Sequence, residues 1–166
     1  MTLRELARET GLPVWAVVLC EKGYLSRGAT GRSAAGIRHQ YGTEVNCRLA
    51  VENVKAFEVM QEELDYPFDL EVTLSGYLLI TYSQRQFEQF KRNVQLQHKF
   101  GIPSEVLSVE ELKKRFPLLN TEGLVGASFC SRDGHANPWH VTHAYAMAAA
   151  RGGAKIRKFC EVTDIR

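Results

Sequence analysis

The sequence predicts an α/β fold with α+β elements, on three observations. Val14 to Cys20 is an unbroken, Val-rich apolar run of strand length, as in a strand buried on both faces of a parallel sheet. Strand-length runs alternate along the chain with longer segments whose apolar residues recur at helical spacing. Glycine or proline closes these segments at Gly11, Gly101, Pro117 and Gly152-Gly153.

Each element follows from local pattern. Leu3, Leu6 and Ala7 share one face of a short first helix that Gly11 stops, and Pro13 opens the next element. The Val14 strand ends at a single acid, Glu21. Residues 22–43 hold five glycines, Gly23, Gly28, Gly31, Gly36 and Gly42, with Ala29, Ala34 and Ala35 among them. They predict a loop with a helical turn around Ser33 to Ile37. A long helix runs from about Glu44 to Leu64, with Leu49, Val51, Val54, Phe57, Val59, Met60 and Leu64 on its apolar face, and Asp65-Tyr-Pro-Phe-Asp69 breaks it.

Leu70 to Tyr82 predicts two strands, or one bent at Gly76. Ser83 is placed to cap a helix from Gln84 to Phe100 that buries Phe87, Phe90, Val94, Leu96 and Phe100. Ser108-Val-Glu-Glu111 has capping-box spacing before a short helix at Leu112 to Phe116. Leu124 to Cys130 is a strand, and Ser131 to His135 turns the chain. Asn137-Pro138 starts an alanine-rich helix that packs close to what it covers, and a last strand follows from Ala154 to Ile165.

Composition narrows the function classes. The chain of 166 residues is 45% hydrophobic and 24% charged, with 21 basic against 19 acidic side chains. A net charge of +2 without a basic block interleaved with aromatics points away from nucleic acid as a partner. Cys20, Cys47, Cys130 and Cys160 form no CxxC and no zinc-spaced cluster with histidine, so no metal site is expected. They read as reduced, mostly buried thiols of an intracellular protein. The N-terminus lacks a signal-peptide core, and no run reaches the roughly 18 apolar residues of a membrane span. A cytoplasmic location is expected, or the mitochondrial matrix for a eukaryotic source.

One stretch carries chemistry. A buried strand closing on an acid, followed by small residues, is the second half of a dinucleotide-binding βαβ unit, where the carboxylate meets both hydroxyls of a ribose. Small residues beyond it let backbone N–H groups approach a pyrophosphate or flavin edge. The same pattern also describes an ordinary surface acid. The segment Glu21-Lys22-Gly23, then Gly28-Ala-Thr-Gly-Arg-Ser-Ala-Ala-Gly-Ile-Arg38, resembles that of the FAD-dependent amine and amino-acid oxidoreductases of the D-amino-acid-oxidase-like superfamily. It is most similar to the sarcosine oxidase beta-subunit and dimethylglycine/sarcosine dehydrogenase branch. Asp133-Gly-His-Ala-Asn-Pro138, Ala144-Tyr-Ala146 and Gly153-Ala154 resemble the family's D-G-x-x-x-P turn and following helix, and Glu161-Val-Thr163 its adenine-side strand.

The resemblance implies a partial FAD-binding Rossmann-like domain with part of a mixed-sheet substrate domain. Residues 1–68 would be FAD-binding, 69–131 substrate-domain-like, and 132–166 a return to the FAD-binding domain. Glu21 would bind the adenosine ribose. Gly28, Thr30, Arg32, Ser33 and Gly36 would line the pyrophosphate and flavin, with Ile37 and Arg38 near the isoalloxazine ring. Val162 would touch the adenine through its main chain. Arg38 and His39 are the candidates for catalysis, Arg38 as a holder of a substrate carboxylate; the other reading of His39 is a solvated loop histidine. Some relatives attach FMN to a histidine near the Pro138 position, but His135 and His140 are offset from it, and no covalent flavin is inferred.

The chain departs from the family in two ways. The only glycine before Gly23 is Gly11, so the family's opening strand and GxGxxG turn are missing, and the family continues beyond this length. An internal fragment or truncated gene product is therefore expected, with an exposed sheet edge that invites association and little flavin bound alone. The implied activity is hydride transfer from a secondary or tertiary amine or amino acid, such as sarcosine, dimethylglycine or proline, to FAD. The alternatives are a non-catalytic regulatory or interaction protein on the same scaffold, and a cryptic fragment without activity.

Overall fold

The computed structural model describes residues 8, 9, 11 and 18–165. The expected helix at Leu3 to Ala7 and the start of the Val14 strand lie outside the described residues; Gly11 has the left-handed φ of +68° that suits a helix stop. The elements are β1 (Val18–Glu21), a 3-10 turn (Thr30–Arg32), β2 (Gly36–Ile37), α1 (Glu44–Glu63), β3 (Tyr77–Thr81), α2 (Gln84–His98), β4 (Ser104–Leu107), α3 (Val109–Arg115), β5 (Gly126–Cys130), β6 (Gly134–His135), α4 (Pro138–Arg151) and β7 (Lys155–Lys158). The expected α/β class with α+β elements is what the chain adopts. The helical turn expected around Ser33 to Ile37 sits instead at Thr30–Arg32, because Gly36 and Ile37 are drawn into pairing with β6.

Two compact units divide the chain, one of residues 1–35, 59–71 and 136–166, the other of residues 36–58 and 72–135. In the first unit β1 and β7 pair in parallel, Val18 opposite Lys155 and Glu21 opposite Lys158. Helix α4 leads directly into β7; a helix feeding a parallel pair is the building block of a Rossmann-like domain. Its alanines serve close packing as expected, with Ala144 fully buried. The expectation that β1 is buried on both faces is corrected. Val18 and Leu19 are 46% and 49% exposed, because β1 has only one neighbour, β7, among the described residues.

In the second unit an antiparallel sheet runs β3-β5-β4, and β2 pairs with β6. Every residue of β5 is buried, as befits its central strand. One core cluster joins Leu107, Leu112, Leu124, Ala127 and Phe129; a second joins Cys47, Ile102 and Cys130. Helix α1 buries Cys47, Ala50 and Val54 at helical spacing in this unit, and Met60 in its last turns, which belong to the first unit. Leu49 and Val59, expected on that face, lie off this stripe and are exposed. Among the described residues no helix is long and apolar enough to cross a membrane.

Candidate functional site

In the first unit the candidates gather where β1 ends. Glu21 is half-buried, and its Oε1 accepts from the Gly23 N–H at 2.6 Å. Its Oε2 has no partner among the described residues and is free for an incoming hydroxyl. The turn beyond is tied by its own backbone: Arg27 N–H donates to Tyr24 O at 3.2 Å, Gly31 N–H to Ser26 O at 3.0 Å, and Arg32 N–H to Ala29 O at 3.2 Å. Arg32 Nε reaches Gly28 O at 3.3 Å and Ser33 Oγ donates to Thr30 O at 2.8 Å, so both side chains brace the turn that holds them.

The small residues of this turn answer to two different demands. A Cβ on Gly31 would stand 2.1 Å from Ser26 O, so the chain's own fold requires that glycine. A Cβ on Gly28 would meet nothing within 4 Å, so that backbone faces open space, as close approach of a ligand demands. Ser26, at φ +65°, leaves a buried Oγ without a hydrogen-bond partner among the described residues beside this opening. Tyr24 and Trp139, stacked with ring centroids 5.9 Å apart, present a half-exposed aromatic pair on the same unit. Val162 is 60% exposed, and the main chain reaches it past Cys160, whose N–H donates to Glu21 O at 2.9 Å. A free carboxylate oxygen at the end of a parallel strand, an open glycine and an orphaned hydroxyl fit the adenosine and pyrophosphate half of FAD.

In the second unit β2 sets out four candidates in sequence. Gly36 pairs with His135 and Ile37 with Gly134; Ile37 is buried. Arg38 is half-buried, its Cζ 5.0 Å from the Tyr41 ring centroid, and its buried Nε has no partner among the described residues. The solvated-loop reading of His39 is corrected: the residue is only 4% exposed. Asp133 draws it inward, with Oδ1 2.7 Å from both the backbone N and Nδ1 of His39. Against a carboxylate Nδ1 is the donor, which orients the ring. His39 also borders a cavity of about 190 Å³ with Lys55, Phe100, Ile102 and Arg132.

Asp133 is the residue that sequence reasoning quoted within a motif but did not select as a site residue. It is fully buried, and its Oδ2 accepts from Gln40 Nε2 at 3.0 Å. Gln40 also donates to Tyr77 O at 2.9 Å, while the Ser128 hydroxyl donates to its Oε1. Cys130 adds its thiol to Asp133; burial first, and then the Asp133 charge, push that thiol up to about 12. His39, Cys130 and Asp133 offer ligand atoms within 4.8 Å of one another, the arrangement that a metal ion would need. The carboxylate oxygens are already committed to His39 and Gln40 and the thiol holds its proton, so the cluster works as a hydrogen-bond hub.

The chain as a whole is similar to known proteins. The chain is 30% identical over 167 residues to mitochondrial sarcosine dehydrogenase of Mus musculus, covering 99% of this chain and 18% of that protein. It is 30% identical over 163 residues to sarcosine oxidase subunit beta of Arthrobacter sp, covering 95% of this chain and 39% of that one. The crystal structure of L-proline dehydrogenase from P. horikoshii superposes with a TM-score of 0.80 at 34% identity, over 99% of this chain and 42% of that chain. The chain thus spans less than half the length of each. The family model for FAD dependent oxidoreductases, DAO, matches residues 1–166. By that match over its whole length, the chain belongs to the DAO family of FAD dependent oxidoreductases.

Proposed function

We propose that this chain serves a flavin-dependent oxidoreductase that oxidises a secondary or tertiary amine or amino acid of the sarcosine, dimethylglycine or proline type. The observation that carries the reading is Glu21, whose Oε2 has no partner among the described residues at the carboxyl end of a parallel strand, beside the open backbone of Gly28. When bound, FAD accepts the hydride from the carbon beside the substrate nitrogen. Glu21 accepts hydrogen bonds from the adenosine ribose, while Gly28, Thr30, Arg32 and Ser33 admit and face the pyrophosphate. Val162 meets the adenine through its main chain. Gly36 and Ile37 contact the flavin ring, and Arg38, held over Tyr41, binds a substrate carboxylate through its guanidinium. His39 keeps its orientation through Asp133 near the reacting groups.

On this reading residues 1–68 and 132–166 are the FAD-binding part and 69–131 the substrate part. The chain by itself holds FAD weakly and turns over no amine, and the half-exposed β1 edge supports association with another chain. The protein works in the cytoplasm or the mitochondrial matrix. The test is FAD titration followed by flavin fluorescence, with the Glu21→Gln variant alongside. Losing one charge-assisted pair of hydrogen bonds weakens FAD binding about 10- to 100-fold. The protein carrying this chain reduces a redox dye when given sarcosine, dimethylglycine or proline. Equal FAD affinity in the variant, or no dye reduction with any amine, would sink the reading.

A further inference from the structure

Two thiols meet at the end of β1. Cys20 lies in β1 opposite Arg157, and the Cys160 amide donates to the carbonyl of Glu21, the residue after Cys20. The side chains are close enough to act on each other, for Cys160 is the leading cause that raises the Cys20 pKa. Both are free, Cys20 exposed and Cys160 half-buried, whereas Cys47 and Cys130 are buried. The mostly buried thiols expected from the sequence are thus two of four.

We propose that Cys20 and Cys160 form a reversible redox modification site, closed to a disulfide by a hydroperoxide. The exposure of Cys20 gives the oxidant access, and the Cys160 amide bonded to the carbonyl of Glu21 holds the second thiol beside the end of β1, where rotation of the side chains brings the sulfurs to bonding geometry. In the first step one sulfur attacks the hydroperoxide. An S–O bond forms, the O–O bond breaks, and the thiol proton leaves with the departing oxygen as water or an alcohol. In the second step the other sulfur attacks the sulfenic sulfur; the S–S bond forms, the S–O bond breaks, and the hydroxyl leaves with the second thiol proton as water. Two thiols are oxidised and one peroxide is reduced. The Cys160 thiol beside it, and burial after that, raise the Cys20 pKa, while the nearby Arg157 charge works the other way. The bridge therefore closes faster as pH rises. Once formed, it staples β1 to the segment after β7 across most of the chain, a long loop whose closure stabilises the fold. The inference stands whether or not the chain binds flavin.

The test treats the full chain with hydrogen peroxide under native conditions, then alkylates and maps it without reductant. The expected product is a peptide carrying Cys20 joined to one carrying Cys160, a protein lighter by two hydrogens, and reversal by dithiothreitol. The oxidised chain melts roughly 5–10 °C higher. Cys47 and Cys130 remain available to alkylation after unfolding. Cys20→Ser and Cys160→Ser each abolish the bridge while keeping the far-UV circular dichroism of the parent. Unlinked sulfinic acids at both positions, bridges between molecules, or both thiols surviving intact would overturn the proposal.

Discussion

Asp133 shows how a single residue organises its surroundings. A buried carboxylate is tolerated when its oxygens are satisfied, and this one accepts from the His39 backbone, the His39 ring and Gln40. Each donor left unpaired there costs about 1–3 kcal/mol, so the three hold one another in place. The neighbouring Cys130 carries the pH dependence. Its folded pKa of about 12 lies above the ordinary thiol value of 9.0, so the native state keeps a proton that the unfolded chain loses. That contribution is complete below about pH 9 and is lost as pH rises toward 12. The urea midpoint of the wild-type chain therefore falls more steeply between pH 8 and pH 10.5 than that of Cys130→Ala, a comparison in which other titrating groups cancel. Parallel slopes would contradict it. The motif containing Asp133 was legible in the sequence; its partners were not, because His39 and Gln40 lie far away in the chain and only the fold brings them to it.

Helix ends, by contrast, are legible because their chemistry is local. Ser83 and Ser108 cap α2 and α3 as their spacing requires, and Glu111 returns the capping box by accepting from the Ser108 backbone at 2.7 Å. That backbone bond, and the Ser108 hydroxyl after it, hold the Glu111 carboxyl below its ordinary value. Asn137 caps α4, its Oδ1 taking N–H groups from Trp139 at 3.0 Å and His140 at 3.3 Å. Asn137→Ala lowers stability by about 1 kcal/mol in urea unfolding, and Asn137→Asp, which keeps the acceptor, restores most of it. Equal loss in both variants would place the effect elsewhere, for instance in the Asn137 bond to Glu71. Strands were harder to read. The run at Val14 to Cys20 correctly announces a strand, yet its burial depends on neighbours that periodicity does not report. β4 went unforeseen because Ser104-Glu-Val-Leu107 is short and mixed, and becomes a strand only by pairing with β5.

At the scale of the whole molecule, the alternation of elements was enough to predict the class, while its separation into two units was beyond local pattern. One unit draws on residues 1–35, 59–71 and 136–166, which no sequence window sees together. The other has its whole antiparallel sheet between Tyr77 and Cys130. Glycine-rich loops mislead for a related reason. Gly31 is small to admit the chain's own Ser26 carbonyl, whereas Gly28 is open, and composition scores the two alike.

The parallel register of β1 with β7 sets an order of events during synthesis. Val18–Glu21 leaves the ribosome more than 130 residues before the strand it pairs with, Lys155–Lys158. The antiparallel sheet, by then complete, needs nothing further from the ribosome. Contacts between sequence-distant strands form late in any case, since closing the long loop comes before their reward. Pulsed hydrogen exchange during refolding should then protect the amides of Ala127 to Phe129 before those of Leu19 to Glu21, and protection in the opposite order would show that β1 and β7 find each other first.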